Sequence, residues 1–516
     1  MEEREMKNPL EHVITFFPTG TAEGDADILD HVFIYAKEFA QVIAPPARSP
    51  HLLVGSKGSG KTAVLNFSQR LLDEQQIPNI LLTPFDIDSS DMNVGSSTGD
   101  LARGFYASVL DSIIGKLSTR NAGWFSGDHA TLYDYAVSRG LRSPDYATRA
   151  GAFFADLAKP IVRLDLNAAF PHLASNTRTE VEAAVNRVLG QRSFYVFIDD
   201  TDQVGVPGND GHLNRVWALL LAVRRLTYDM TGLKAVVSLR TEVWERMKRD
   251  DLGQRDQTDH FERLVVKMHA NKEHVGQIVD RRLSLAAAGA SAPVDGYQQF
   301  FDGAGARAPT SNDVRLWRDL ILVRTRARPR DAIQLVNELA RTSIQRGRIR
   351  IDESTFQSIM PKFSKAVASQ FAEEARPEFP GVMEYLESLA EVEYKQGGFT
   401  MTAEEVRDHF ARMLSRHAGT LYGKTLTQTG IDSALAIWSF FYQTGVINAR
   451  ASDKSRREGY RHLDPAEDPN LVTRQRWNEL QAMLWEVNTV YRDFLISRQE
   501  DLALRSGLPR KKPRRR

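Results

Sequence analysis

The stretch that most constrains the fold is residues 51–65, with the sequence HLLVGSKGSGKTAVL. A short apolar run leads into a glycine-rich loop, and apolar residues at helical spacing follow it. The loop from Gly55 to Thr62 fits the Walker A pattern G-x-x-x-x-G-K-[ST], in which backbone N–H groups surround phosphate. Glycine permits backbone angles that a Cβ forbids, and the N-terminus of the following helix favours an anion. The pattern predicts a nucleoside triphosphate site between a buried strand and a helix.

Each residue of this loop is expected to contribute to ATP binding. Lys61 would bring a positive charge to the β- and γ-phosphates, and Thr62 would bring a hydroxyl to Mg²⁺. The predicted cofactor contacts are Gly55, Ser56, Lys57, Gly58, Ser59, Gly60, Lys61, Thr62 and Ala63. The chain contains no NKxD element, so the sequence favours ATP over GTP.

A second apolar run, residues 193–202 with the sequence SFYVFIDDTD, ends in carboxylates. An unbroken apolar strand is typical of a parallel sheet, and side chains at its carboxyl end line the ligand crevice. Asp199 is therefore predicted to share Mg²⁺ with Thr62 across two neighbouring strands. Asp200 is the candidate base that polarises the attacking water, and capping of the following turn is the alternative. For Asp202 the capping role is favoured.

The next predicted strand, residues 233–240, ends at Arg240, which is expected to sense the γ-phosphate. A simple ion pair is the alternative for this arginine. A polar loop is predicted to follow, and one of its cations would reach the nucleotide of a neighbouring subunit as an arginine finger. The candidates are Arg246, Lys248, Arg249, Arg255 and Arg263, each of which is more simply a solvated charge.

Composition excludes several classes of function. The chain has 516 residues, a net charge of +1 and no cysteine, so it has no disulfides, no thiolate catalysis and no thiolate zinc site. A nearly neutral chain has no overall field that would draw it to nucleic acid or membrane. The first twelve residues, MEEREMKNPLEH, lack the apolar core of a signal peptide. A cytoplasmic protein that does not contact membrane is expected.

The patterns together predict an α/β fold, a P-loop NTPase parallel sheet with a helical insertion, followed by an α-helical lid and a winged-helix domain. The expected divisions are a helical lead-in at 1–50, an ATPase core at 51–286 with an insertion at about 88–190, and a lid at 287–375. A winged-helix-like domain at 376–465 and a C-terminal helix with a basic tail at 466–516 follow. The insertion would contact a partner or only pack on the core. Residues 287–312 are interpreted as a linker or loop.

Double-stranded DNA is a possible partner of the C-terminal part. Two predicted strands flank a turn that carries Lys454, Arg456 and Arg457, and the chain ends in the basic segment from Arg510 to Arg516. Such cations would contact a phosphate backbone. Protein contacts alone are the alternative for the winged helix, and a solubility tail is the alternative for the basic segment. Apolar residues from Trp477 to Phe494 at helical spacing predict one long helix.

On the motifs KGSGKTA, residues 57–63, and IDDTD, residues 198–202, the chain resembles bacterial P-loop ATPases of the additional-strand class. It is similar to KAP and STAND ATPases in the second motif and to origin-recognition-type AAA+ ATPases in domain order. The stretch RPRD, residues 328–331, resembles a sensor 2 motif, which implies that Arg330 touches the γ-phosphate. Relatives of this style often belong to bacterial anti-phage systems. Asp200 stands where AAA+ proteins have glutamate, which implies slow or partner-stimulated hydrolysis.

Three functions follow from these patterns. The first is an ATP-hydrolysing switch that engages DNA or a partner protein according to its nucleotide. The second is a DNA-binding protein of the origin-recognition kind in which bound ATP is structural. The third is a regulatory scaffold for an effector protein. Catalytic roles are assigned in the first to Asp200, Lys61, Arg240 and Arg330, and metal binding to Thr62 and Asp199.

Overall fold

The structure is a computed structural model. It describes residues 8–35, 39–87, 97–119, 127–141, 178–204, 211–249, 255–268, 272–289, 295–309, 314–394, 398–427, 430–456, 459–465 and 467–505. The basic segment from Arg510 to Arg516 and the wing residue Arg457 lie outside these ranges, so the predictions for them stay predictions.

The described part of the N-terminal segment forms three short helices, α1 (Leu10–Phe16), α2 (Leu29–Val32) and α3 (Phe39–Val42). The single amphipathic helix that the spacing of apolar residues from Ile28 to Val42 predicts is wrong. Phe33 takes an extended backbone conformation that ends α2, and its ring stacks on Phe67 at 4.2 Å between centroids. The half-buried ring of Phe33 thus packs against the core from an extended segment, which the helical periodicity does not predict.

The central sheet contains five parallel strands: β1 (His51–Gly55), β2 (Asn79–Leu82), β3 (Phe194–Ile198), β4 (Leu233–Arg240) and β5 (Val265–Lys267). Their order is β2-β3-β4-β1-β5, so β4 is the additional strand between the two motif strands. The expectation that Thr62 and Asp199 belong to neighbouring strands is therefore wrong. The register places Ser238 of β4 beside Leu53 of β1.

Helices of the core cover both faces of this sheet. They are α4 (Lys61–Glu74), α5 (Pro84–Ile87), α6 (Thr98–Thr119), α7 (Asp128–Ser138), α8 (Arg178–Leu189), α9 (His212–Asp229), α10 (Thr241–Arg249) and α11 (Arg255–Glu262). The predicted insertion supplies α6, α7 and α8, and the apolar face of α6 is buried in the same core as α9. Its described part thus packs on the core. The polar loop predicted after β4 is instead the helices α10 and α11.

The lid consists of α12 (Lys272–Gly289), α13 (Gly296–Phe300), the hairpin β6 (Gly305–Arg307) and β7 (Val314–Leu316), α14 (Trp317–Val323), α15 (Pro329–Gln345) and α16 (Glu353–Ala375). The linker predicted at 287–312 is wrong over most of its described part, because a helix and a hairpin strand form there. Buried Phe300 and Ala306 anchor both to the lid core. Small and polar residues concealed these elements from pattern analysis.

The winged-helix domain contains α17 (Val382–Ser388), β8 (Thr400–Met401), α18 (Ala403–Arg416), the hairpin β9 (Thr420–Leu421) and β10 (Lys424–Thr425), and α19 (Ile431–Gln443). After these come the wing strands β11 (Ile447–Ser452) and β12 (Tyr460–His462), α20 (Trp477–Gln481), β13 (Leu484–Val487) and the last helix, α21 (Thr489–Arg505). The spacing Thr402-x-x-Glu405 predicts a capping box, and the structure confirms that this box opens α18.

The long helix predicted from Trp477 to Phe494 is wrong, because β13 interrupts it. This strand pairs with β11 and β8 in the order β12-β11-β13-β8. Trp485 and Val487 are buried in it, and Asn488 then accepts a hydrogen bond from Val490 N at 3.2 Å at the start of α21. Strand pairing satisfies the backbone of this segment where the sequence alone shows only apolar spacing.

The buried apolar residues form three clusters. One lies between the sheet and the insertion, and a smaller one lies on the opposite face of the sheet. The third is continuous through α1, the lid and the winged-helix domain. Phe371 of α16 packs its ring against Phe440 and Phe441 of α19, with centroids 6.5 and 6.3 Å apart. The lid and the winged-helix domain are therefore packed as one unit.

Candidate nucleotide site

The glycine-rich loop between β1 and α4 has the geometry that phosphate binding requires. Gly58 and Gly60 have φ angles of +77° and +97°, in the region that favours glycine. A Cβ on Gly55 would lie 2.6 Å from Ser59 Oγ, so a larger residue there would displace the Ser59 hydroxyl. Ser59 Oγ is buried and has no hydrogen-bond partner among the described residues. An unsatisfied buried hydroxyl beside such a loop fits a phosphate ligand.

Lys61 folds back over this loop. Its Nζ donates hydrogen bonds to Gly55 O at 2.9 Å and Ser56 O at 3.1 Å, and its side chain is buried. Burial lowers the pKa of Lys61, whereas the carboxylates of Asp202, Glu242 and Asp199 oppose that shift. The ammonium group is thus held at the mouth of the loop, close to the acids that follow β3.

The carboxyl end of β3 brings Asp199 and Asp200 to the same edge of the sheet as the loop. Asp199 is buried and accepts a hydrogen bond from Ser238 Oγ, which in turn accepts one from Asp200 N at 3.2 Å. Asp200 has a φ of +50°, and its side chain makes no capping hydrogen bond. Desolvation raises the pKa of Asp200, as do the negative charges of Asp199 and Asp202. A carboxylate with a raised pKa is better suited to accept a proton.

Asp202 and Arg240 form an ion pair beside this edge. Arg240 Nε lies 2.7 Å from Asp202 Oδ2, and the Asp202 side chain is buried. His212 Nε2 lies 2.8 Å from the carbonyl oxygen of Asp202 and fixes the same turn. Asp202 therefore anchors Arg240. The register pairs Arg240 with Gly55, the first residue of the loop.

The lid contributes two arginines to the loop. Arg328 precedes α15, is buried, and its Cδ lies 3.4 Å from where a Cβ on Gly58 would be. Arg330 is in the first turn of α15, and its Nε is buried without a hydrogen-bond partner among the described residues. Arg326 and Asp331 form a buried double hydrogen bond, with N–O distances of 2.8 and 3.0 Å, that fixes this helix start.

A carboxylate of the lid meets the loop at the same place. Glu374, in the last turn of α16, lies 3.7 Å from Lys57 Nζ and 3.2 Å from Arg328 Nη1 through its two oxygens. No sequence motif predicts a role for Glu374, because Glu373 and Glu374 are typical of the charged end of a surface helix. Glu242, whose Oε2 is buried and has no hydrogen-bond partner among the described residues, was also not predicted.

The proposed arginine-finger candidates have mixed surroundings. Arg246 lies over the ring of Tyr422 at 4.5 Å and near Glu378 Oε1 at 3.7 Å, so it joins α10 to the winged-helix domain of the same chain. Lys248 pairs with Glu245 at 2.7 Å. Arg263 is exposed. The structure therefore gives Arg246 and Lys248 partners within the chain.

The residues predicted to contact ATP and Mg²⁺ lie in one part of the molecule. The structure brings the loop, Lys57, Lys61, Asp199, Asp200, Arg240 and Arg330 to one region, and Thr62 opens α4 directly after Lys61. In the described part of the chain, no group of three or more His, Asp or Glu side chains would hold a metal. Mg²⁺ commonly keeps its waters and binds one or two protein oxygens plus phosphate, so Thr62 and Asp199 fit that chemistry.

Two further observations concern the remainder of the chain. Among the described residues, no helix combines the length and apolar character needed to cross a bilayer. A cleft of about 1710 Å³ runs from Ser56 of the loop, past residues 324–328, to the sheet of the winged-helix domain. Of the predicted nucleotide contacts, Ser56 alone lines this cleft.

Comparison with known families and proteins gives one partial match. Residues 273–372 match the family described as the FunZ-associated C-terminal helical domain. This range extends from α12 to near the end of α16, which is most of the lid. No curated protein matches the chain.

Among solved structures, the chain is similar to Cdc6p from Pyrobaculum aerophilum, with a TM-score of 0.32, 12% identity, and 96% and 99% of the two chains covered. It is also similar to the ORC2 protein of Aeropyrum pernix in ADPNP–ADP complexes, with a TM-score of 0.38, 10% identity, and 94% and 95% covered. Drosophila ORC bound to DNA gives a TM-score of 0.33, 11% identity, and 96% and 93% covered. Scores of this size carry no argument about function, which must come from the residues themselves.

Proposed function

We propose that the chain is an ATP-binding and ATP-hydrolysing switch whose nucleotide state controls engagement of DNA or a partner protein. One observation carries the proposal: the Walker A loop, the acids after β3 and the lid arginines meet at one edge of the sheet. The unpartnered buried Ser59 Oγ and the left-handed glycines fit a phosphate group.

In this proposal ATP supplies the phosphoanhydride, and Mg²⁺ supplies positive charge near its phosphates. Residues Gly55 to Ala63 would bind the phosphates through backbone N–H groups and Lys61. Thr62 and Asp199 would hold Mg²⁺, and Ser238 orients the Asp199 carboxylate. Asp200 would accept a proton from the attacking water. Arg240 and Arg330 would stabilise negative charge on the terminal phosphate.

Replacement of Lys61 by alanine tests the site. We expect Lys61→Ala to lose most ATP binding and phosphate release, measured with a fluorescent ATP analogue and a phosphate assay. Arg70→Ala is the matched control, because Arg70 lies on the same helix and pairs with exposed Asp30 at 3.0 Å. A Lys61→Ala protein that hydrolysed ATP at the wild-type rate would contradict the proposal. Asp200→Asn should retain ATP binding and lose turnover.

The DNA part of the proposal depends on the wing. Helix α19 would occupy the recognition position of a winged helix, yet its sequence IDSALAIWSFFYQ contains no Lys or Arg. Most of its large apolar residues are buried. Lys454 and Arg456 are exposed at the wing tip. The wing and the C-terminal basic segment are therefore the proposed phosphate-binding surfaces.

The same feature of α19 favours a second candidate, in which the winged-helix domain binds an effector protein. Salt-dependent binding of a DNA duplex separates the two candidates. We expect a Lys454→Ala, Arg456→Ala protein to lose affinity and salt dependence if DNA is the partner. No measurable DNA binding by the wild type, with or without ATP, would favour the protein partner.

The role in bacterial defence is also part of the proposal and comes from the resemblance of the motifs alone. Phage plating on bacterial cells that carry the wild type or Lys61→Ala would test it. Sedimentation with and without ATP would test the homo-oligomer that an arginine finger requires. Hydrolysis that is independent of protein concentration would count against such a finger.

A further inference from the structure

We propose that Glu374 is a specificity-determining residue that makes the nucleotide site respond to a triphosphate differently from a diphosphate. This inference rests on the proposed function. Its carboxylate lies 3.7 Å from Lys57 Nζ and 3.2 Å from Arg328 Nη1, and thus pairs with both cations at the outer end of the loop. Both Arg328 and Glu374 are largely buried, with side chains 8% and 11% exposed.

The position of Lys57 identifies which phosphate Glu374 would face. Residues Gly60 to Thr62 open α4, so the N-terminus of this helix faces the inner phosphates. Lys57 lies in the first half of the loop, away from this helix start. The charges of Arg240, Arg330 and Asp202 act on its ammonium group. Arg240 ends β4, Asp202 follows β3, and Arg330 is in the first turn of the lid helix α15. The terminal phosphate is expected to lie among these residues.

A γ-phosphate would compete with the Glu374 carboxylate for the two cations, Lys57 and Arg328. A phosphate near Lys57 and Arg328 would carry the same sign of charge as Glu374. Like charges a few ångströms apart repel, so the Glu374 carboxylate must move away for both cations to turn to the phosphate. A diphosphate that ends at the inner part of the loop leaves the carboxylate in place.

Movement of Glu374 would be transmitted directly to the C-terminal domain. Phe371 lies one helical turn before Glu374 on α16 and packs against Phe440 and Phe441 of α19. Beyond Ala375, Glu378 accepts a hydrogen bond from Tyr422 N at 2.7 Å through its carbonyl oxygen. The end of α16 is thus attached to the winged-helix domain at two points.

The test compares Glu374→Gln with the wild type. Glutamine keeps the size of the side chain and its acceptor oxygen, but not the charge. We expect the affinity for a non-hydrolysable ATP analogue to increase by about fivefold or more, with a change of less than about twofold for ADP, by calorimetry. Glu373→Gln is the matched control, because Glu373 is 75% exposed and pairs only with Arg376 in the described structure. It should leave both affinities unchanged.

Hydrogen exchange at the end of α16, the segment that carries Glu374, supplies a readout that does not depend on affinity and also reports folding. The ATP analogue should alter exchange there in the wild type, and ADP should not. Glu374→Gln without nucleotide should resemble the ATP-analogue state. If the wild type binds both nucleotides and Glu374→Gln leaves the ratio of the two affinities unchanged, the role of Glu374 is overturned and the proposed function is not. A wild type that binds neither nucleotide would overturn the proposed function, and this role with it.

Discussion

Ser238 is the residue through which the structure makes its sharpest quantitative prediction. It is fully buried on β4, which lies between the two motif strands β1 and β3. Its Oγ donates to Asp199 Oδ1 and accepts from Asp200 N, and its carbonyl oxygen accepts from Thr201 Oγ1. One side chain therefore holds both the carboxylate of Asp199 and the backbone of Asp200.

Replacement of Ser238 by alanine would remove only its hydroxyl group, and with it the hydrogen bonds to Asp199 and Asp200. A hydrogen bond to a charged group contributes about 1.5–3 kcal/mol, and loss of a residue that orients a metal-binding carboxylate typically weakens metal affinity about 10- to 100-fold. We expect Ser238→Ala to require about 10- to 100-fold more Mg²⁺ for half-maximal ATP hydrolysis. The affinity for ATP measured without Mg²⁺ should change by less than about threefold, because the loop is intact.

The assay is a Mg²⁺ titration of phosphate release, paired with a Mg²⁺ titration of fluorescent ATP-analogue binding. Ser68→Ala is the control, since Ser68 is buried on α4 and donates only to Val64 O at 2.7 Å within its own helix. A folded Ser238→Ala protein whose half-saturating Mg²⁺ concentration equals that of the wild type would refute the assignment of Asp199 to the metal.

Two further predictions concern the contacts that join the domains. Burial and the charge of Glu242 raise the pKa of Glu378 to about 7, from an ordinary value of 4.5. Between pH 4.5 and about 7 the folded protein keeps a proton on Glu378 that the unfolded chain has lost. The free energy of unfolding therefore falls as the pH rises through this range. Glu378→Gln should therefore raise the free energy of unfolding at pH 8 by up to about 3 kcal/mol, seen as a higher melting temperature, and should not raise it at pH 5. The control Glu384→Gln, at an exposed position, should leave the melting temperature unchanged at both pH values. Loss of Arg324 leaves Asp493 buried without its partner. Arg324→Met should therefore lower the free energy of unfolding in urea by about 3–5 kcal/mol, and the double variant Arg324→Met, Asp493→Leu should recover most of that loss. Equal stability of the single and double variants would contradict this reasoning.

The strongest sequence patterns predicted the core of the fold well. The strand ending at Gly55, the strand ending at Ile198 and the strand ending at Arg240 all occur where the apolar runs place them. Most residues of these runs are buried on both faces, so burial and propensity agree there. The capping box at Thr402 is equally local, because both of its hydrogen bonds lie within four residues.

Predictions failed where distant pairing decided the local structure. The segment around Trp485 has apolar residues at helical spacing, but hydrogen bonds to β11 and β8 make it a strand. The small residues at 305–307 form a strand because they pair with 314–316. Neither partner can be identified from the periodicity of one segment.

The site shows the same division between local and distant information. The loop and the acids after β3 are contiguous motifs, and the sequence identifies them. Glu374 is 317 positions from Lys57, and its role as a partner depends on how the lid sits over the loop. From its place near the end of the strand at 233–240, the sequence predicts for Ser238 only a position beside the γ-phosphate. Its hydrogen bond to Asp199 depends on β4 lying beside β3, which the strand order decides.

The packing of the lid on the winged-helix domain limits how the proposed switch can move. A boundary between 375 and 376 was expected from the sequence, yet one apolar core spans both parts. Phe371 packs against α19, and Arg324 of the lid forms a buried ion pair with Asp493 of α21. Close-packed interiors shift as rigid bodies rather than bend continuously. A change at Lys57 and Arg328 is therefore expected to turn the lid and the wing together against the sheet, so that the charge of a terminal phosphate determines where the wing tip is presented.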